Sequence, residues 1–420
     1  MSNKKLSRCI TPTSASQEKQ LRIVFVRANN YDCTPAIPRA LEASEGIFKD
    51  VNIICWNRSG KDEPKELMVN GVKLKQFVRA ASQRSLKVVF LTLWYQVWLF
   101  WNLLCLRADV IQVCSIVSGL PAGIVALLTR RRFIYDIRDP FALCYCFPWI
   151  IRKIVYALDW CVMGLSSAFV VPTSRYIPYI GRWANSKREI VEIPNTCHDL
   201  LGELKSVERI LRPKKDDKVI RLGYMGYLDE SRGAGWLLEF CGDCSNNSEL
   251  IVAGDCRSEK LMAAIKSTPN VTYVGRLPYK SALALMCEID AVTIFCDTKK
   301  PSYRIADPTK FYDAMMVGKP VLVSRTTSIH HIVLEKRLGY VLEYNNMNGL
   351  HKVVEELRSS EKRAAMGKRC RQYYLDNLRL SEKLVDYRKF YSRIANQWFP
   401  DEKVVKAERN SWLKKGSYIV

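Results

Sequence analysis

"VIRLGYMGYLDESRGAGWLLEFCGDCSNNSELIVAGDC", Val219–Cys256, holds the unit from which the fold follows. Two apolar runs of strand length, "VIRLGYMGYL" and "SELIVAGDC", enclose "GAGWLLEFCGDC", a segment of helix length. A near-continuous apolar strand followed by a helix and another such strand predicts parallel neighbours in a sheet covered on both faces. The pattern runs on through "NVTYVGRLPY", "DAVTIFCDT", "KPVLVS" and "LGYVLEY", and the chain then turns helical to its end. Upstream of the polar stretch "ERILRPKKDDK" it has already run once, in "LRIVFVRAN", "VNIICWNR", "DVIQVCS", "RRFIYDIRDP", "SSAFVVPTS" and "REIVEIPNT". A chain of 420 residues exceeds one ordinary core. It therefore reads as α/β, two doubly wound Rossmann-like domains facing a cleft. Ligands of such sheets bind beyond the carboxyl ends of the strands, and a cleft between two of them is a usual enzyme site.

The formal net charge is +23, which calls for an anionic partner: nucleic acid, an acidic membrane face or a phosphorylated small molecule. No helix-turn-helix, RNP or zinc motif supports nucleic acid, so none is expected as a partner. The 15 cysteines sit among apolar neighbours, no His/Cys cluster has zinc spacing, and free thiols in a reducing cytosol are expected. Residues 1–20 hold no apolar signal core and read as a disordered lead.

Val88–Leu106, "VVFLTLWYQVWLFWNLLCL", is nearly free of charge and flanked by Lys87 and Arg107. Its length suits a membrane span, but Thr92, Gln96 and Asn102 interrupt it. Trp94, Trp98 and Trp101 share one helical face, as in an interfacial helix. A core helix, an interfacial helix and a span all remain open on this pattern. A second stretch, "FALCYCFPWIIRKIVYALDWCVMGLSS", sets Arg152 and Lys153 among aromatic residues. That suits an anionic lipid surface or a core helix with one charged face.

Two segments carry candidate site residues. In "GYMGYLDESRGAG" Gly223 and Gly226 permit close backbone approach, and Arg232 stands just before a helix. That is a phosphate site or a plain tight turn. In "IADPTKFYDAMMVGKPVLVS", Ile305–Ser324, Asp307 reads as a helix cap and Pro308 as the first helical residue. The amides of Thr309 and Lys310 then form an anion site, strengthened by the Lys310 side chain. Asp313, a turn further on, suits paired ribose hydroxyls or is a solvent-facing acid; its apolar neighbours argue against solvent.

These segments resemble the retaining GT-B glycosyltransferases of family GT4, in particular the bacterial surface-polysaccharide branch with its "P-x-K-x-x-E" form. "DPTKFYDAMMVGKPV", "IPN" at Ile193–Asn195 and "VTYVGRLPY" carry the likeness, which spans Leu21 to about Trp398. The resemblance implies a ribose-binding role for Asp313 and a pyrophosphate role for Arg232, in place of the family's lysine. Tyr227 stands where an arginine is usual, beside Gly226. The family's glutamate for the donor sugar falls at Ile305, leaving Arg304 or Asp307 as substitutes. Arg138 replaces a histidine and Asp139 follows it. They would hold the donor or orient an acceptor, or form a structural ion pair. Base recognition falls to the backbone at Arg276–Leu277, and Asn29, Asn30 and Tyr31 face the acceptor.

By the same resemblance, residues 21–196 form an acceptor-side domain with membrane-associating helices, 197–217 a linker, and 218–380 the nucleotide-sugar domain. Residues 381–398 form a helix packing back on the first domain, and 399–420 a basic tail. The implied reaction moves a sugar from a UDP- or GDP-sugar to a hydroxyl of a lipid-linked or saccharide acceptor. It retains anomeric configuration and uses no metal or cofactor. Its place is the inner face of the cytoplasmic membrane, against an anionic surface, in surface-polysaccharide or lipopolysaccharide assembly. Arg138, Asp139, Arg232 and Lys310 are the expected catalytic set. No Asp-x-Asp pair occurs; Glu288-x-Asp290 comes nearest and reads as structural. A nucleotide-sugar epimerase of the same fold is the enzymatic alternative, disfavoured by the histidine-poor cleft. A non-enzymatic anion or nucleic-acid binder is the other.

Overall fold

The computed structural model describes residues 21–31, 35–59, 64–69, 71–81, 87–144, 147–214 and 216–396. The expected lead at 1–20 and tail at 399–420 lie outside the described residues, as does the end of the last helix at 397–398.

The first domain runs β1 (Arg22–Arg27), α1 (Ala36–Ser44), β2 (Asp50–Asn57), β3 (Glu66–Val69), β4 (Val72–Val78), α2 (Lys87–Cys105), β5 (Val110–Cys114) and α3 (Ile116–Thr129). It continues with β6 (Arg132–Asp136), α4 (Phe141–Cys144), α5 (Trp149–Leu165), β7 (Ala168–Val171), α6 (Ile177–Ile180) and β8 (Glu189–Glu192). Sheet order is β3-β4-β2-β1-β5-β6-β7-β8, parallel except for β3. Strand residues alternate strictly between two cores. Val24, Val26, Ile111 and Val113 meet α2, α3 and α5. Ile23, Phe25, Val110 and Ile134 meet α1 on the opposite face. Right-handed crossovers dictate this, since the chain moves one way from β1 and the other way from β4 onward. The β3–β4 hairpin was not read from the sequence, although Asn70-Gly71 between apolar runs is its signal.

The second domain runs β9 (Ile220–Met225), α7 (Ala234–Gly242), β10 (Ser248–Ala253), α8 (Glu259–Ser267), β11 (Val271–Gly275), α9 (Tyr279–Cys287), β12 (Ala291–Ile294) and α10 (Pro301–Ile305). Then come α11 (Thr309–Val317), β13 (Val321–Ser324), α12 (His330–Glu335), β14 (Gly339–Leu342), α13 (Met347–Leu357), α14 (Ser360–Asn377) and α15 (Leu380–Asn396). Its six-stranded parallel sheet has the order β11-β10-β9-β12-β13-β14. The strand direction of travel reverses between β9 and β12, so a crevice opens at their carboxyl ends. Glu288 and Asp290 are structural: Glu288 accepts the amides of Ile210 and Leu211, and Asp290 pairs with Lys214 and Arg363.

The last helix, α15, leaves its own domain. Leu384, Tyr387, Phe390 and Tyr391 are buried beside α1 and β1 of the first domain. Gln112 of β5 donates to the Tyr387 hydroxyl at 2.7 Å and accepts from Tyr391 at 2.6 Å. The two chain crossings run side by side, with the Thr196 hydroxyl donating to the Leu378 carbonyl. The cysteines of the described residues are free thiols. Cys241 and Cys244 stand at C-x-x-C spacing, but Cys241 is buried and Cys244 exposed.

Candidate active site

The loop after β9 is built for close approach. Gly226 has φ +103, and a Cβ placed there meets open space. Asp229 caps the short turn before α7 by accepting from the Ser231 amide at 2.9 Å. Gly233 has φ +79, and a Cβ on it would stand 2.9 Å from Cβ of Phe295. The loop is stapled to the end of β12 through Asp297 N–H to the Ser231 carbonyl at 2.7 Å. This stapling sets Arg232 at the β9/β12 crevice.

Lys310 arrives at the same place from α11. Its ammonium lies 5.0 Å from the Tyr224 ring centroid, and the Arg232 guanidinium lies 5.8 Å from that of Tyr303. Among the described residues neither cation has a carboxylate within ion-pair distance. Burial, with the Arg232 charge adding to it, pulls the Lys310 pKa down to about 8. Cys296 and Tyr303 complete this pocket; nothing in the local sequence marked them. Two desolvated cations with no carboxylate in ion-pair contact are poised for an anionic ligand. Tyr227, beside them, lies under Arg257 at 5.6 Å.

The start of α11 differs from the sequence expectation. Pro308, not Asp307, occupies the N-cap position, and no side chain caps the helix. The Thr309 and Lys310 amides at its head thus have no side-chain cap to compete with a ligand. Asp307 is drawn away by the interdomain crossing: its carboxylate accepts from the Asn195 amide at 2.8 Å and from the Tyr312 hydroxyl at 2.5 Å. The Asn195 side chain in turn donates to the Asp307 carbonyl at 2.9 Å. Burial raises Asp307 to about 6 against the pull of these bonds and of Arg138 and Arg39. Asp307 is a clasp between domains in this structure.

Asp313 is buried, not solvent-facing, and accepts from the Tyr279 hydroxyl at 2.7 Å. Burial raises its pKa to about 6, opposed by bonds from Tyr279 and Cys197. Tyr279 opens α9 two residues after Leu277, so the Arg276–Leu277 segment adjoins Asp313. The Arg276 side chain itself is exposed, 3.4 Å from Asp255.

Across the cleft, Arg138 is turned inward. It pairs with buried Asp136 at 2.6 Å and donates to the Ile193 carbonyl at 3.0 Å. Arg138 is in a structural ion pair, but its partner is Asp136 and not the neighbouring Asp139. Asp139 does face the cleft. It is open to solvent at the surface, yet enclosed by protein on most sides, which raises its pKa; Arg27, Arg138 and Arg232 counter this. Asn29 and Asn30 follow β1, where the Asn30 amide donates to Asn29 and the Asn30 side chain accepts from the Arg58 amide. Tyr31, next in the loop, packs on the α1-side core. Arg304 is exposed and donates to the Thr298 carbonyl at 2.8 Å. Ile305 packs on the first domain's core, where α10 meets α4. Arg232 and Lys310 therefore share the crevice with Asp139 in reach of Arg232, Asp313 lies one turn beyond Lys310 on α11 held by Tyr279, and Arg138, Arg304 and Asp307 are engaged elsewhere. Among the described residues no three His, Cys, Asp or Glu side chains converge on a metal-sized space.

Two parallel α/β domains, facing switch points and a returning last helix define the GT-B glycosyltransferase fold. Residues 219–360 match the family described as glycosyl transferases group 1, and together these support a glycosyltransferase. A sucrose-phosphate synthase from Thermosynechococcus elongatus superposes with TM-score 0.70 at 12% identity, over 89% of this chain and 99% of its own. A UDP-forming α,α-trehalose-phosphate synthase from Burkholderia vietnamiensis gives 0.65 at 9% identity, over 93% and 99%. Anabaena HepE, in complex with UDP and glucose, gives 0.63 at 12% identity, over 89% and 100%. No curated protein matches by sequence.

Proposed function

We propose that this protein is a retaining glycosyltransferase of the GT4 type. It takes a sugar from a nucleoside-diphosphate donor and passes it to a hydroxyl of a saccharide acceptor carried on a lipid. The observation that carries the reading is the pair Arg232 and Lys310, neither in an ion pair, at the β9/β12 crevice beside an uncapped helix N-terminus. The donor diphosphate is the ligand that such a site fits. HepE is bound to UDP and, in another structure, to UDP-glucose, which favours a uridine donor.

In the reaction the bond from the anomeric carbon to the diphosphate oxygen breaks, and the acceptor oxygen bonds the same face of that carbon. The acceptor proton leaves with the departing phosphate. Charge gathers on the diphosphate as the bond breaks, so fixed cations and amides stabilise the transition state more than the ground state. Arg232, Lys310 and the α11 amides take that role without metal or cofactor. Asp313 accepts from the ribose hydroxyls, exchanging its bond with Tyr279. Asp139 faces the acceptor hydroxyl. Surface-polysaccharide assembly on the inner face of the cytoplasmic membrane is the setting that such an acceptor implies.

The test is donor binding by calorimetry across UDP-, GDP-, ADP- and dTDP-sugars, for the native protein and for Asp313→Ala. Loss of a charge-assisted hydrogen-bond acceptor should weaken the preferred donor by about ten- to a hundredfold. A folded Asp313→Ala protein with native donor affinity would overturn the assignment.

A further inference from the structure

The helical layer α2, α3 and α5 buries one side on the first sheet and leaves the other apolar. On α2, Tyr95, Leu99 and Leu103 are fully buried at spacings of four, while Phe90, Trp94, Val97 and Trp101 point outward. Trp98 tilts inward against Tyr95 and Phe77, so the tryptophan stripe expected from the sequence is split. Phe90 is 74% exposed, Leu127 and Leu128 of α3 are 67% and 65%, and Trp149 of α5 is 65%. Ile150 and Ile154 extend the patch along α5. A helix apolar on all sides yet half open to solvent needs a second apolar phase. At roughly 100 Å² for each large side chain, the patch is on the order of 1,000 Å², well above the largest patch of an ordinary monomer.

The exposed charge on these three helices has one sign. No acid lies on α2 or α3, and the only acid of α5, Asp159, is buried between the hydroxyls of Tyr135 and Tyr179. Cations border the patch: Arg107 follows α2, Arg130 follows α3, and Arg152 and Lys153 belong to α5. Lys153 sits 5.0 Å over the Trp149 ring, and Arg79 sits 5.2 Å over Trp94. A second copy of the chain would bring these cations together and be repelled. An acidic peptide partner would not need the large apolar area.

We propose that the outer face of α2, α3 and α5 is a docking surface for an anionic lipid bilayer, entered in the plane of the membrane and not across it. One window, Val88–Cys105, is long and apolar enough to span. However, α2 is bound to its sheet. The Tyr95 hydroxyl donates to the Arg27 carbonyl at 3.2 Å, Gln96 to the Val117 carbonyl at 3.2 Å, and Arg131 to the Leu103 carbonyl at 2.5 Å. Gly119 and Gly123 let α5 close on α3, where a Cβ would come within 2.7 Å of Val162 and 2.9 Å of Leu165. The three helices thus present one rigid face. Its aromatic rings suit the headgroup boundary and its cations suit acidic headgroups. The loop bearing Asp139 leads through α4 into α5, so the cleft opens beside this face and a lipid-borne acceptor would reach it from the bilayer. Only that last step rests on the transferase reading.

The full chain is floated with vesicles of phosphatidylcholine, with and without phosphatidylglycerol, at low and high salt and without donor. Flotation is expected with the acidic vesicles, weakened by salt and at least about tenfold weaker for the double variant Phe90→Glu with Ile150→Glu. Both positions are exposed, so the variant should keep its melting temperature and its donor affinity by calorimetry. A native protein left behind by acidic vesicles at low salt would overturn the proposal. So would a double variant that floats like the native protein. A self-association abolished by the same substitutions, without flotation, would assign the face to a second copy instead. Failure of donor binding in the native protein would sink the transferase reading and leave the docking result standing.

Discussion

Lys310→Met separates the cost of the donor site from its use. Methionine keeps the length of the side chain and removes the cation. Burial, with the nearby Arg232 charge adding to it, lowers the Lys310 pKa from 10.5 to about 8. That displacement corresponds to roughly 3 kcal/mol spent on holding the protonated side chain there. The sign follows from linkage. Between about pH 8 and 10.5 the unfolded chain binds more protons than the folded one, so stability rises with pH through that window. Below pH 8 the full penalty applies. Lys310→Met should therefore raise the melting temperature of the donor-free protein at pH 7, and the gain should vanish towards pH 11. Donor binding should run the other way. Affinity of the native protein should be flat below about pH 7 and fall about tenfold per unit above pH 8, as the ammonium needed by the diphosphate is lost. Calorimetry in buffers of different ionisation enthalpy should read uptake of about half a proton at pH 8, where Lys310 is half protonated. The methionine variant should show no uptake, no pH slope and an affinity about tenfold or more weaker at pH 7. A donor-free variant that melts below the native protein, together with a native affinity unchanged from pH 7 to 9, would refute the reasoning.

Two further outcomes follow from the backbone and the domain clasp. Asp307→Ala leaves the Asn195 amide and the Tyr312 hydroxyl without their acceptor and should cost about 1–3 kcal/mol in urea unfolding. It should also loosen the crossing, read as a larger radius of gyration by solution scattering; an unchanged radius and midpoint would show that the clasp is idle. Gly233→Ala forces a Cβ into left-handed backbone 2.9 Å from Phe295 and should destabilise by about 1–3 kcal/mol. It should also displace Arg232 and weaken donor binding, and native affinity with native stability would contradict the stapled loop.

Much of the architecture was legible because its signals are local. Apolar runs such as "IRLGYM" and "LIVA" have no water-facing period, and that alone places them in a parallel sheet. Gly318, at φ +72, ends α11 where the sequence shows Gly-Lys-Pro. Arg232 and Lys310 could be picked out because a cation beside a helix N-terminus makes an anion site. The hairpin β3–β4 escaped because its short strands are half exposed and carry charge. In the sequence Asp307 reads as a cap because Asp-Pro before a helix is a strong local pattern, and nothing local competes with it. Its true partner, Asn195, lies in the other domain.

The sequence by itself determined two α/β halves, the cleft they face and the residues that stand at its rim. Those follow from periodicity and from turn chemistry, which act over a few residues. Only the tertiary structure decided which charges are spent and which are free. Arg138 is tied to Asp136 and to the distant Ile193 carbonyl, and Asp307 to Asn195, while Arg232 and Lys310 meet without an ion-pair partner. It also decided that α2 keeps one face on the sheet and turns the other outward. Pairing and exposure depend on what the rest of the chain brings alongside, and no short stretch of sequence contains that information.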